Sequence, residues 1–398
     1  MSGLISVDDA LRALAPHVLD AGEEAIPVGD ALGRVLARDV LARTTTPPAD
    51  VSAMDGYAVR LSDVRKAGNR LNVTGEIPAG TLPRHPVGQG EAMRIFTGAP
   101  LPEGADHILI QEEATRTGDM IEVTVAQADS KHIRKAGRDF SRGDLLVTAG
   151  ACLSPADLGL AAAGNNGTIT VRRKPKVAIL PGGDELLPPG SDLEPGKIID
   201  SNSTALSALV RSWGGEPITP GIAGDTIEQI RALIDASSEA DLILPIGGAS
   251  VGDYDYMKAA FQEAGAEILF SGIAVRPGKP TWFARMGQQR ILGLPGNPAS
   301  AFVCARLFLK DLLVNTAGPS ARFIATLDVE MAPGGFRETY YRAVARVEDG
   351  RRTVMPLVDQ DSSLLSPLQM SNCLIRRMPN AAAAIAGDTV ECLGLSDK

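Results

Sequence analysis

Three glycine- and proline-rich segments carry most of the structural information in this chain: GGASVGDYDY at 247–256, RPGKP at 276–280 and GLPGNPAS at 293–300. They follow apolar, β-branched runs at 242–246, 268–275 and 290–294. Small residues after a strand let the backbone approach a ligand closely and turn amide N–H groups toward an anion. Asp253 and Asp255 add negative charge, and Arg276 and Lys279 add positive charge. The segments predict a site for a metal-bridged phosphate or oxoanion; ordinary α/β loops and a solvated Lys279 are the alternatives.

Strand and helix patterns alternate around these segments. Strands are predicted at 176–180, 217–222 and 242–246, and helices at 203–213, 226–237, 254–264 and 299–313. Such alternation is typical of βαβ units in a mostly parallel sheet with helices on its faces. Ligands of these sheets lie beyond the carboxyl ends of the strands, where the glycine-rich turns fall.

β-rich sequence flanks the α/β region on both sides. Short strand patterns broken by glycine and proline dominate the chain up to residue 171, and five strand patterns follow residue 318. We therefore predict a β-rich N-terminal region at 1–171, an α/β domain at 172–317 and a small β domain at 318–398.

Composition excludes several classes of function. A chain of 398 residues with 44% hydrophobic and 22% charged residues can form two to four folded domains. A net charge of −9 argues against general binding to nucleic acid or membranes. Neither a signal peptide nor an apolar run of about twenty residues is evident. The four cysteines and four histidines lack metal-ligand spacing, so we expect reduced thiols, no zinc site and a cytoplasmic location.

Acidic residues follow two of the predicted strands. Gly182-Gly183-Asp184-Glu185 comes directly after the strand at 176–180, and Asp225 follows another strand. Carboxylates of this kind suit Mg²⁺, although the tetrapeptide alone would also fit a capped helix start. A nucleotide-binding P-loop at 272–280 is excluded, because the spacing is one residue too long and Pro280 replaces the required Ser or Thr.

Taken together, the motifs resemble those of the MoeA family, whose eukaryotic relative is the gephyrin E domain. The matching strings are SAMDGYAVR at 52–60, RIFTGAPLPEGAD at 94–106, IRKAGRDFSRGD at 133–144, GDEL at 183–186, GGASVGDYDY at 247–256, RPGKP at 276–280, LPGNPAS at 294–300 and SNCLI at 371–375. They occur in the family's order and span nearly the whole chain. By composition alone, the first two strings would be simple turns.

The resemblance implies a multidomain fold of the α/β plus β class. The N-terminal region would form two lobes, one from about 1–50 with 140–171 and an inserted one at about 51–139. The middle domain would be a MogA-like three-layer α/β domain, followed by a small β-barrel-like domain. Family members are homodimers with a shared active site. They insert molybdate into adenylylated molybdopterin with Mg²⁺ and release AMP, and the resemblance also implies contact with the enzyme of the preceding adenylylation step.

Residue roles also follow from the resemblance. The implied catalytic residues are Asp55 and Thr97, contributed across the dimer, together with Asp139, Glu185, Asp225, Asp255 and Lys279. The implied metal ligands are Asp184, Glu185 and Asp225. The implied substrate-binding residues are Gly247, Gly248, Ser250, Asp253, Arg276, Lys279, Pro295, Gly296, Asn297, Pro298 and Arg337.

Three departures from the family pattern leave alternatives open. Gly182 stands where the family usually has Thr, and Arg276 stands where Lys is common. The string around Arg337 differs from the usual arginine–glutamate–phenylalanine sequence, which blurs its role toward molybdate. A binding or scaffold protein that has lost catalysis is one alternative. A molybdopterin adenylyltransferase is the other, although the β-rich regions do not belong to such an enzyme.

Overall fold

The computed structural model describes residues 3–247, 256–313 and 322–395. The chain forms two compact units, each with its own hydrophobic core. We call Ala25–Leu32 with Leu36–Val171 the β-rich unit, and Met1–Glu24 with Gly33–Val35 and Arg172–Lys398 the α/β unit. Among the residues described, no helix is both long and apolar enough to cross a membrane.

The first helix, α1 (Val7–Leu14), belongs to the α/β unit. It begins where the sequence predicts a cap, because Ser6 Oγ accepts a hydrogen bond from the Asp9 N–H at 3.0 Å. Its apolar face is buried in the same cluster as Phe270 and Phe283. The start of the chain therefore packs against residues that come much later in the sequence.

Short strands make up the β-rich part of the chain. They are β1 (Glu23–Pro27), β2 (Val40–Leu41), β3 (Val51–Ser52), β4 (Gly56–Val59), β5 (Arg70–Ile77), β6 (Glu91–Ile95), β7 (His107–Ile110), β8 (Ala114–Thr117), β9 (Met120–Val123), β10 (Ile133–Arg134), β11 (Leu145–Val147) and β12 (Thr168–Arg172), with helix α2 (Pro155–Ala163) before the last strand. Six form one sheet in the order β7-β4-β6-β5-β9-β8. Strands β4 and β7 approach so closely that a Cβ on Gly56 would lie 2.2 Å from Leu109 O. Only glycine fits at that point.

The α/β part of the chain follows residue 175. Its strands are β13 (Lys176–Pro181), β14 (Leu186–Leu187), β15 (Ile198–Ile199), β16 (Glu216–Ile218), β17 (Leu242–Ile246), β18 (Glu267–Ser271), β19 (Val275–Arg276), β20 (Trp282–Met286) and β21 (Gln289–Gly293). Its helices are α3 (Asn202–Ser212), α4 (Ile227–Ala236), α5 (Tyr256–Glu263), α6 (Pro298–Cys304) and α7 (Lys310–Leu312), with a π-helical turn at Ala305–Leu309. The sheet order is β16-β13-β17-β21-β20-β18, with the first four strands parallel. The predicted mostly parallel sheet is confirmed.

Alternating side chains of the central strands fill two cores. Val177 and Ile179 join the cluster that contains residues of α1, α3 and α6. Ala178 and Leu180 point to the other face and join the residues of α4 and α5. Helices therefore cover both faces of the sheet, which confirms the three-layer arrangement.

A small β-barrel ends the described chain. Its strands are β22 (Arg322–Leu327), β23 (Glu338–Glu348), β24 (Arg351–Pro356), β25 (Cys373–Arg377) and β26 (Thr389–Gly394), with helix α8 (Ser366–Met370). The pairings run β23-β24-β22-β26-β25 and return to β23, so the sheet closes on itself. The predicted barrel-like domain is confirmed.

The structure divides the apolar run at 268–275, which the sequence suggested was one strand before RPGKP. Strand β18 ends at Ser271, and Gly272 turns the chain with φ of +106°. Strand β19 then pairs with β23 of the barrel instead of the α/β sheet. The segment that carries Lys279 therefore lies at the junction of sheet and barrel.

Candidate active site

A cavity of about 920 Å³ lies beyond the carboxyl ends of β13, β17 and β21, and residues of the barrel complete its wall. Predicted site residues that line it are Glu185, Gly247, Arg276, Lys279, Pro295, Gly296, Asn297, Pro298 and Arg337. The structure thus brings together segments that are far apart in the sequence. Its size and position match those of ligand sites in open α/β sheets.

Another part of the wall consists of residues that received no individual site role from the sequence, although the stretch at 334–342 was noted for its possible role toward molybdate. These residues are Asp200, Ser201, Asn202, Tyr340, Tyr341, Arg342, Gln360, Asp361, Ser362 and Ser363. Asp200 and Ser201 lie between β15 and α3, and Asn202 is the first residue of α3, in the same kind of position as the predicted turns. Their position after a strand could have identified them from the sequence. No feature of the neighbouring sequence shows that the barrel residues lie near the α/β sheet.

The base of the cavity contains three glycines from three different turns, which we call the glycine floor: Gly182, Gly247 and Gly296. A Cβ on Gly247 would lie 2.9 Å from Gly182 O, and a Cβ on Gly296 would lie 3.4 Å from Gly247 Cα. The Gly182 N–H donates to Ile246 O at 2.9 Å and the Gly247 N–H to Leu294 O at 3.2 Å. These two amides are already bonded, so the two glycines offer a ligand close approach rather than N–H donors.

The turn that carries Arg276 and Lys279 is held from within the protein. A Cβ on Gly278 would lie 2.1 Å from Cys304 Sγ, and φ of Gly278 is +116°. Thr281 Oγ1 donates to Gly278 O at 2.8 Å. Burial raises the pKa of the Cys304 thiol to about 12, so the thiol stays neutral and acts as packing. The turn is therefore rigid, with two cationic side chains on the cavity wall.

The PGNP turn is fixed by hydrogen bonds from two directions. Asn297 Nδ2 donates to Ser362 Oγ, and the Ala299 N–H donates to Ser362 O, both at 3.0 Å. Asn202 Nδ2 donates to Gly296 O at 2.7 Å. The barrel segment and the start of α3 therefore hold the turn between them.

Two arginines, Arg337 and Arg342, line the cavity on the barrel side and differ in burial and in their contacts. Arg342 is buried and donates to Asp361 O at 2.9 Å and Leu364 O at 3.0 Å, so it orders the segment that ends at Leu364. Burial lowers its pKa. Arg337 is half-buried, and its guanidinium lies 5.5 Å from the ring centre of Phe336. Arg342 therefore serves as an internal clamp, and Arg337 is the better placed of the two to meet an anion.

The predicted metal ligands are only partly grouped. The Asp225 N–H donates to Asp184 Oδ1 at 3.2 Å, and the Asp184 N–H donates to Asp225 Oδ2 at 3.4 Å. Of the three predicted ligands, only Glu185 lines the cavity, and it is exposed. Within 3–247, 256–313 and 322–395, no three His, Cys, Asp or Glu residues form a metal site. Instead of a helix start, the turn after Gly183 leads into β14.

Four predicted residues, Gly248, Ser250, Asp253 and Asp255, lie outside the described residues. The donor chemistry that remains still fits Mg²⁺, which commonly keeps several waters and takes one or two protein carboxylates together with substrate phosphates. Glu185 supplies one hard oxygen donor in the cavity that also contains Arg276 and Lys279.

In the β-rich unit, the structure places Asp55 against Thr97. The Thr97 N–H and Oγ1 donate to the same carboxylate oxygen, Asp55 Oδ1, at 2.8 and 3.0 Å. These two bonds hold the pKa of Asp55 below its usual value, and the bond from the backbone N–H contributes more than the bond from the hydroxyl. Arg94 lies beside this pair, and one of its nitrogens donates to Gly56 O at 3.2 Å. Asp55 is thus an oriented carboxylate on a rigid sheet end.

Asp139, the third predicted residue of this unit, is exposed. Its backbone N–H donates to Thr46 O at 3.1 Å, which fixes the turn that contains it. In the described structure its carboxylate forms none of the hydrogen bonds around Asp55.

Family comparisons match the chain in three consecutive segments. The matching families are described as MoeA N-terminal region (domain I and II), over residues 5–164, a probable molybdopterin binding domain, over 178–315, and MoeA C-terminal region (domain IV), over 325–395. Together the three matched segments contain the residues that line the cavity and cover most of both units.

Individual relatives agree with these matches. The chain is 34% identical over 378 residues to the molybdopterin molybdenumtransferase of Haemophilus influenzae, covering 92% of each chain. It is 32% identical to that of Bacillus subtilis, covering 98% of this chain and 94% of the relative. Among solved structures, it is similar to the molybdopterin biosynthesis MoeA protein from Pyrococcus horikosii, with a TM-score of 0.86, 30% identity and full coverage of both chains.

Proposed function

Because this chain belongs to the MoeA family, we propose that it is a molybdopterin molybdenumtransferase, the name its relatives in Haemophilus influenzae and Bacillus subtilis carry. The reaction takes adenylylated molybdopterin and molybdate as substrates. The bond between the pterin phosphate and AMP is cleaved by addition of an oxygen, from water or molybdate, to one of the two phosphorus atoms. Sulfur ligands of molybdopterin replace oxygens of molybdate, which leave as water, and AMP is released.

The observation that supports this function best is the combination of opposite charges in one cavity. Arg276 and Lys279 lie on a rigid turn, and Glu185 lines the same cavity. Fixed cations would bind the phosphates of the substrate and compensate the charge that develops on cleavage. The glycine floor lets a flat ring system approach the backbone closely, since no Cβ intervenes.

Mg²⁺ would be held by Glu185, with Asp184, Asp225 and Asp255 as further candidate ligands. When bound, the ion would neutralise charge on the phosphates that are separated. Arg337 would meet molybdate at the barrel wall, and Pro295, Asn297 and Pro298 would shape the site of the pterin phosphate together with Gly248, Ser250 and Asp253.

The working enzyme would be a cytoplasmic homodimer. Asp55 and Thr97 of the partner subunit, with its Asp139, would complete each cavity, and each subunit would return the same residues to its partner. The preformed contact between Asp55 and Thr97 supports their acting as one unit.

Purified full-length chain, adenylylated molybdopterin, molybdate and Mg²⁺ should together yield AMP and active cofactor. Omission of molybdate should stop cofactor formation, and chelation of Mg²⁺ should stop AMP release. If neither product forms with all components present, the proposed function is wrong. If the chain instead consumes ATP and molybdopterin and releases pyrophosphate, it is an adenylyltransferase.

A further inference from the structure

Met257 lies where a side chain on Gly182 would begin. It is on α5, only 1% exposed, and belongs to the core cluster beneath that face of the sheet. A Cβ on Gly182 would lie 2.5 Å from Met257 Cε, closer than real Cβ contacts come. A side chain at residue 182 would therefore require the methionine methyl, the far end of a flexible side chain, to move aside.

Backbone conformation does not explain this glycine. Gly183 has φ of +145°, a value that residues with a side chain rarely adopt, whereas φ of Gly182 lies outside the left-handed region. A side chain at position 182 would thus be compatible with the backbone. The steric restriction comes from Met257, with the next nearest atom, Ile246 O, at 3.8 Å from the same Cβ position.

The contact extends from Met257 into the cavity. Gly182 lines the cavity, and its carbonyl oxygen lies against Gly247, which in turn lies against Gly296. A shift of Gly182 would therefore pass to both other glycines of the floor, because close-packed backbones cannot absorb it locally. The methyl of Met257 occupies the space that a side chain on Gly182 would otherwise need.

We propose that Met257 is a positioning residue for the reaction: its methyl fills the space beside Gly182 and thereby sets the position of the glycine floor on which the substrate rests. The inference rests on the proposed function for the identity of that substrate. Gly182 lines the cavity, whereas Met257 does not and would act only through Gly182.

A double-mutant cycle tests the pair, with Gly182→Ala, Met257→Ala and the double variant in the full-length chain. Each single change should raise KM for adenylylated molybdopterin several-fold and lower the unfolding midpoint. The double change should cost less than the sum of the two, since the new methyl enters the space the methionine leaves. Met257→Leu, which nearly conserves the volume of the side chain, should retain a KM near the wild-type value.

Ile234→Ala is the matched control, because Ile234 is buried in the same cluster on α4. It should lower the unfolding midpoint without changing KM. If the effects of the Gly182 and Met257 changes on KM and on the unfolding midpoint are both additive, the two residues are not coupled and the proposal is wrong. Coupling in the unfolding midpoint with KM unchanged would make Met257 a purely structural residue and overturn its positioning role. If the wild-type chain releases no AMP, the proposed function fails, and coupling in the unfolding midpoint alone decides whether the two residues are complementary.

Discussion

Thr97 gives both of its donors, the backbone N–H and the hydroxyl, to a single oxygen of Asp55. The bonds fix the plane of the carboxylate and favour its charged form, so the pKa of Asp55 is lowered. In the described structure Oδ2 receives no hydrogen bond, which leaves one oriented oxygen for a ligand. Two segments that look like unremarkable turns in the sequence thus form one hydrogen-bonded pair.

Thr97→Val should move the acid limb of the pH–activity profile upward. The hydroxyl bond favours the carboxylate, so its loss raises the pKa of Asp55, and the active, ionised form then disappears at a higher pH as the solution is acidified. The shift should be partial because the backbone N–H remains. The measurement is kcat/KM for AMP release between pH 4 and 8. Thr115→Val, on an exposed position of β8, should leave the profile unchanged; an identical profile for both variants would contradict the role of Thr97.

Glu185→Gln should lower Mg²⁺-dependent AMP release by about 100-fold or more, since an amide replaces the charged donor of the cavity. Thermal unfolding should not change, because the side chain is exposed. Glu228→Gln, an exposed change in the first turn of α4, is the control and should retain activity. If the Glu185→Gln variant releases AMP at the wild-type rate, Glu185 is not a ligand of the metal.

Mixed dimers should recover activity from two inactive parents. Asp55→Ala and Glu185→Gln chains refolded together should reach roughly a quarter of wild-type activity, because random association makes half the dimers mixed and each has one intact cleft. Differently tagged chains allow the mixed dimer to be isolated and assayed. If isolated mixed dimers are as inactive as either parent, the two residues do not share a cleft across subunits.

His107 should make the free energy of unfolding depend on pH. The ring is fully buried, its Nδ1 accepts the Lys131 N–H at 3.1 Å, and burial lowers its pKa from 6.5 to about 4. The unfolded chain therefore takes up the proton first, and stability present above pH 6.5 is lost as the pH falls toward 4, on the order of 3 kcal/mol. His107→Asn, whose oxygen can accept the same N–H, should flatten this dependence in denaturant titrations. His85→Asn, at an exposed position, should not.

The sequence predicted the parts of the site that follow local rules. Small residues after apolar strands placed Gly247 and Gly296 at the cavity, because the carboxyl ends of parallel strands meet at one edge. It could not predict that Arg342 is an internal clamp, since that depends on which carbonyls surround the arginine after folding. The role of Met257 was equally invisible: a methionine in a helix pattern reads as core, and only the three-dimensional contact with Gly182 gives it a specific consequence.

The packing of α1 imposes an order on biosynthesis. The helix ends at Leu14, yet its core partners Phe270 and Phe283 leave the ribosome only after the β-rich unit has been made. At elongation rates of about 5 to 20 residues per second that interval is roughly 10 to 50 seconds. During that time the apolar face of a short helix has no native partner, and helices of this length are marginal alone in water. The first segment of the nascent chain therefore has no native surface to pack against until the strands that carry Phe270 and Phe283 have been made.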